Sequence, residues 1–126
     1  MRGGLKENAV ADNSIFNKAA LLEATCDDAE LAAQVVGVFL TDIPAQLADL
    51  AKALDGNDAK TAERVSHSIK GASATVGAGK LRDVAFICEN LGREGDLEQL
   101  RGKVGELRGA YDELATILQA EGFAAL

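Results

Sequence analysis

From Leu97 to Leu118 the residues Leu97, Leu100, Val104, Leu107, Tyr111, Leu114 and Leu118 recur at alternating steps of three and four. Side chains so spaced stand on one side of a helix. A seam of that kind needs partner helices to cover it. Gly102, Gly105 and Gly109 lie in the same stretch, each costing a helix about 1 kcal/mol relative to alanine. Packing, rather than intrinsic propensity, must hold this helix together.

The rest of the chain offers the partners. "DDAELAAQVVGVFLTDIPAQLADLAKALDGND" supplies Asp27 or Asp28 as a cap, then a stripe of Leu31, Val35, Val38, Phe39, Ile43, Leu47, Leu50 and Leu54. Pro44 predicts a kink or a division there, because it has no N–H and collides with the preceding turn. "DGND" at 55–58 predicts the end of this helix. The next helix is expected from about Asp58 to Val76, with Ala62, Val65, Ile69, Ala72, Ser73 and Val76 on its small or apolar face. "GAG" at 77–79 breaks it. Leu81, Val84, Ala85, Cys88 and Leu91 then share one face, up to a turn at 94–96 with Asp96 as cap. Ser14 is a plausible cap for a short leading helix in "IFNKAALLEAT". Residues 1–13 lack periodicity and read as a flexible tail or linker remnant, which leaves 14–126 as the domain. No strand-like alternation appears, and short connections make successive helices antiparallel. The expected fold is all-α: an antiparallel up-and-down four-helix bundle with a short additional N-terminal helix.

Composition excludes several functions. The 126 residues suit one domain. Thirteen basic and 20 acidic residues leave a net charge of −7, which disfavours nucleic acid and anionic membrane surfaces. No apolar run approaches the roughly 20 residues of a membrane helix, so no membrane insertion is expected. Cys26 and Cys88 lie far apart and there is one histidine, so no familiar metal-site spacing exists. Cys88 reads as a small core residue and Cys26 as one near a loop, which fits a reducing, cytoplasmic compartment.

The single histidine, His67, sits in "VSHSIKGASATVGAG". At about 100° per residue it points away from Val65 and Ile69. Its own face holds Lys60, Glu63, Arg64, Lys70, Gly71 and Ala74. Most lone surface histidines are simply solvated. Here three cations surround one on an acidic protein, and the positions beyond it are almost bare of side chains. A neutral imidazole in solvent keeps one nitrogen lone pair free, which is a usable nucleophile. Lys70, one turn on, is placed to meet phosphate oxygens as a point charge. Gly71 inside a helix is costly and suggests close approach by another surface. No second ligand, base or orienting carboxylate is identifiable near His67, which argues against a metal or hydrolase reading.

"HSIKGASATVGAGKL" resembles the signature of histidine-containing phosphotransfer (HPt) domains. The resemblance extends over residues 14–121, including the proline in the second helix and, in "LRDVAFICENLGREGDLEQL", an alanine, a glutamate and "REGD" typical of the family. "GAS" at 71–73 departs from the more frequent Gly-Ser-Ser or Gly-Ser-Ala. What the resemblance implies is a phosphoryl relay between aspartate-phosphorylated receiver domains. His67 would be the phosphoacceptor on Nε2, Lys70 the cation beside the phosphate, and Gly71 the clearance for the receiver. The module would have no cofactor of its own, magnesium belonging to the receiver, and no autonomous kinase activity. Its partners would be response-regulator receiver domains, or a hybrid sensor histidine kinase of which the chain could be a segment. One receiver per exposed histidine implies a monomer. Charge complementarity with an acidic receiver gives Lys60 and Arg64 a docking role. Ala74, Ile15, Phe16, Phe86 and Ile87 are candidates for the apolar part of that surface. Two alternatives stay open: the phosphoacceptor domain of a chemotaxis-type kinase, and a helical adaptor without phosphoryl chemistry. A sensor-kinase dimerisation domain fits less well, since Ser68 rather than an acid follows the histidine.

Overall fold

The computed structural model describes residues 14–126, so the tail reading of residues 1–13 lies outside the described residues. Among the described residues there are helices and no strands. They are α1 (Lys18–Ala24), α2 (Ala29–Asp55), α3 (Ala59–Val76), α4 (Gly79–Glu94) and α5 (Leu97–Ala120).

The caps follow local chemistry. Asp28 accepts from the Glu30 and Leu31 amides, Asp58 from Thr61 and Asp96 from Gln99, so each carboxylate satisfies donors that a helix start leaves free. The leading helix is capped by Asn17, which accepts from Ala20 N at 3.1 Å, and not by Ser14. The cause is tertiary: Asn17 N donates to Gly77 O at 2.8 Å, pinning the start of α1 to the α3–α4 turn. Gly77 ends α3 at φ +80°, a conformation open to glycine. A side chain there would also strike the Asn17 carbonyl.

Pro44 does not divide α2, which is continuous over 27 residues. Its missing N–H would leave the Leu40 carbonyl without a helical donor. Tyr111 Oη donates to that carbonyl at 3.1 Å from α5, so the neighbouring helix supplies what proline removes. The stripe on α2 is also shifted at its start. Leu31 and Val38 are exposed, while Ala32, Val36 and Leu40 are buried beside Phe39, Ile43, Leu47, Leu50 and Leu54. By length and composition α2 could cross a membrane, with a mean hydropathy of 1.4 over its most apolar window, contrary to the sequence expectation. Ten of its residues are buried against the rest of the protein.

On α5, Leu100, Leu107, Leu114 and Leu118 are fully enclosed and Tyr111 nearly so, whereas Leu97 and Val104 are half-buried. Truncating one such leucine to alanine costs about 2–5 kcal/mol. Gly102, Gly105 and Gly109 face open space, so the opposite, seam-bearing side holds α5. Arg101 Nη2 donates to the Leu54 carbonyl at 2.6 Å, while Tyr111 reaches Leu40. Rising numbers on one helix thus meet falling numbers on the other, and α2 and α5 run antiparallel. Cys88 is buried and unpaired, its thiol pushed up to about 11 by burial and the Glu106 charge. It is inert packing.

Candidate functional site

α3 and α4 form an antiparallel helical hairpin about the Gly77–Ala78 turn. Its register is regular. Lys70 meets Phe86, His67 meets Glu89, and Glu63 meets Arg93. These pairs lie eight, eleven and fifteen residues to either side of Ala78. Gly92 permits this fit, because a Cβ there would stand 2.9 Å from the Glu63 amide nitrogen.

His67 is held on the outer side of α3, its side chain 65% exposed. Its Nδ1 lies 2.8 Å from Glu89 Oε2, and the Glu89 side chain is only 5% exposed. An ionised carboxylate can only accept. A neutral ring must therefore carry its proton on Nδ1 and leave its lone pair on Nε2. The expectation that no orienting carboxylate stands near the ring is thus corrected: Glu89 is one. Spacing along the chain did not reveal it. Reflection about the "GAG" turn, with antiparallel packing assumed, would have placed Glu89 opposite His67.

Glu89 gathers two further cations. Lys70 Nζ is 2.7 Å from Oε1, and Arg93 Nη2 is 3.2 Å from Oε2. Burial pushes the Glu89 carboxyl up. The Lys70 and His67 contacts outweigh that effect, and its titration falls below the ordinary glutamate value. Lys70 Nζ also stands 5.0 Å from the centre of the Phe86 ring, within cation–π range. Its ammonium is fixed between an anion and an aromatic face.

The remaining candidates separate. Lys60 and Arg64 are exposed and line a shallow depression with Glu63, His67 and Glu89. Gly71 is exposed, and a Cβ on it would meet nothing within 4 Å. Ala74, Phe86 and Ile87 are exposed. Phe16 is not available for docking. It is 6% exposed and packs edge-on against Phe123, ring centres 6.5 Å apart, because the segment leading into α1 turns that ring into the core. Ile15 is half-buried against the same core. Among the described residues no group of three metal-ligating side chains is assembled.

Comparison with known proteins follows this geometry. Residues 34–117 match the family model described as Hpt domain. The chain is 30% identical over 112 residues to multistep phosphorelay regulator 1 of Schizosaccharomyces pombe, covering 88% of this chain and 35% of that protein. It thus spans about a third of the length of this relative. Two solved structures share the fold. Histidine-containing phosphotransfer protein B of Pseudomonas aeruginosa superposes with a TM-score of 0.80 at 20% identity, over 85% of this chain and 93% of that one. The HPT domain of a sensor hybrid histidine kinase from Shewanella gives 0.70 at 19% identity, over 86% and 97%. With a family match across two-thirds of its length, on an all-helical fold, the chain belongs to the Hpt domain family.

Proposed function

We propose that this chain carries a phosphoryl group on His67 Nε2 between the aspartates of receiver domains in a multistep phosphorelay. The observation that carries the reading is the His67–Glu89 contact at 2.8 Å on an otherwise exposed ring. The Nε2 lone pair attacks the phosphorus of an aspartyl phosphate. The bond from phosphorus to the aspartate oxygen breaks, and the carboxylate leaves with its electron pair. The ring, now bonded through Nε2 and still protonated at Nδ1, bears a positive charge that faces the Glu89 carboxylate. Attack by the next receiver's aspartate reverses these steps. Lys70, on the same face one turn on, is the cation for the phosphate oxygens, and Gly71 with Ala74 leaves the approach clear.

Four longer helices closed as an up-and-down bundle, with α1 laid on one end, form the support. The module acts as a cytoplasmic monomer, takes magnesium only through its partner and has no kinase activity of its own. The relative named as a phosphorelay regulator and the neighbour from a hybrid kinase support receivers as partners.

The test is transfer of acid-labile label from a phosphorylated receiver. His67→Gln should keep its helical circular dichroism and take no label; labelling equal to wild type would reject the reading. Labelling of wild type by a kinase domain with ATP, but by no receiver, would favour the chemotaxis-type acceptor instead.

A further inference from the structure

Two buried serines on α3 behave differently. Ser66 and Ser73, seven residues apart, are both fully enclosed. Ser73 Oγ donates back to the Ile69 carbonyl at 2.7 Å, the local bond open to any helical hydroxyl. Ser66 Oγ does not take the equivalent bond, and among the described residues it has no hydrogen-bond partner. A buried hydroxyl in that condition lowers stability. Its place in the fold is specific. Glu63 and Gly92 meet across the hairpin, backbone against backbone. Three residues on in α3 and three back in α4, the same seam sets Ser66 opposite Glu89. The two oxygens of the buried Glu89 carboxylate are held unequally. Oε2 meets His67 and Arg93. Oε1 has Lys70 Nζ at 2.7 Å, an attraction of charge without hydrogen-bond alignment, and among the described residues no aligned donor.

That lysine has a second task. In the relay reading, on which this inference rests, Lys70 meets the phosphate oxygens once His67 is phosphorylated. An ammonium drawn to a phosphate leaves Glu89 Oε1 behind, and a buried carboxylate oxygen without a donor is unfavourable. We infer that Ser66 is a positioning residue that takes over Glu89 Oε1 when Lys70 turns to the phosphate. Its hydroxyl donates the replacement bond, and Glu89 stays in place behind His67. The hydroxyl that lacks a partner in the resting protein finds one in the phosphorylated protein. Ser66 therefore disfavours the first form, favours the second, and shifts the equilibrium between them.

The experiment measures both forms of the full chain. Unphosphorylated Ser66→Ala should melt no lower than wild type, because an unpaired buried hydroxyl has been removed. At equilibrium with a receiver domain bearing labelled aspartyl phosphate, its ratio of label on the chain to label on the receiver should fall about tenfold, the scale of one hydrogen bond to a charged group. In a Lys70→Ala background Oε1 lacks the lysine in both forms. There Ser66→Ala should leave the label ratio unmoved and lower the melting point instead. Circular dichroism verifies that Ser66→Ala is folded. Ser66→Cys, whose thiol donates weakly, serves if it is not. A label ratio equal to wild type in the Ser66 variant, or the same fall with and without Lys70, overturns this inference and leaves the relay standing. Failure of wild type to accept label from the receiver removes the relay itself, and this inference with it.

Discussion

Nδ1 of His67 lies 2.8 Å from Oε2 of Glu89, on the next helix and 22 residues further along the chain. The contact sets which ring nitrogen is free, and it places a buried negative charge behind the position where a positive one would develop.

Glu89→Ala should therefore release the tautomer. Nitrogen NMR of wild type at neutral pH should show the neutral ring protonated on Nδ1, and the variant a mixture of tautomers. Transfer to His67 should fall by at least about tenfold, the scale on which an outer partner of a functional histidine acts. Glu89→Gln keeps an acceptor without the charge and should recover the tautomer but only part of the rate. A variant ring with unaltered tautomer and rate would mean that Glu89 is merely structural.

Glu89 also predicts an acid dependence of stability. Its titration lies below the ordinary value of 4.5. Between the two values the unfolded chain binds a proton that the folded chain does not, so stability rises with pH there. The contribution is complete above 4.5 and is lost as pH falls through the folded value. Urea midpoints from pH 3 to 7 should show a shallower acid decline in Glu89→Gln than in wild type.

Tyr111→Phe removes the donor from the Leu40 carbonyl and should cost about 1–3 kcal/mol, the penalty of a buried polar group left unpaired. In a Pro44→Ala background the residue-44 amide can take over that carbonyl, so the same substitution should cost less. A double-mutant cycle by denaturant unfolding measures the difference. Equal costs in both backgrounds would show that tyrosine and proline are uncoupled.

Two helical glycines should respond with opposite signs. Gly71 faces open space, so Gly71→Ala should stabilise by up to about 1 kcal/mol, while Gly71→Gln should weaken receiver docking in titration calorimetry. Gly92 lies against the Glu63 backbone, which cannot yield as a side chain can. Gly92→Ala should destabilise by about 1–3 kcal/mol and disturb the Arg93 pairs. Thermal melts compare the two.

Lys70→Ala removes the ammonium held between Glu89 and Phe86. It should slow transfer or shorten the lifetime of the phosphohistidine without unfolding the chain. Decay of label after removal of the donor is the measurement.

Much of this architecture was legible in the residues because it depends on local periodicity. The α5 seam, the cap Asp96, a cap at Asp27 or Asp28, and the outward direction of His67 all follow from spacing within one helix. What failed to show depends on contacts between helices. Ser14 looked like a cap, but Asn17 took the role once its amide found Gly77. Phe16 looked available until Phe123, more than 100 residues away, covered it. Pro44 suggested a break, and only a tyrosine from another helix makes continuity tolerable. Leu31 and Val38 match a helical stripe as well as Ala32 and Val36 do, and only packing against the other helices decides which face of α2 is buried. Glu89, a charged residue amid an apolar face, gave no sign of burial until α3 lay beside it.

Lys60 to Arg93 is a run of consecutive residues folded once on itself. Every group assigned to the chemistry falls inside that one hairpin, while α2 and α5 contribute only the wall behind it. The hairpin also gives its inner side to the core through Val65, Ile69, Leu81, Val84 and Cys88, so one stretch of polypeptide carries the working face outside and packing inside. A wall can be rebuilt from many combinations of apolar side chains of matching volume without disturbing the face it supports.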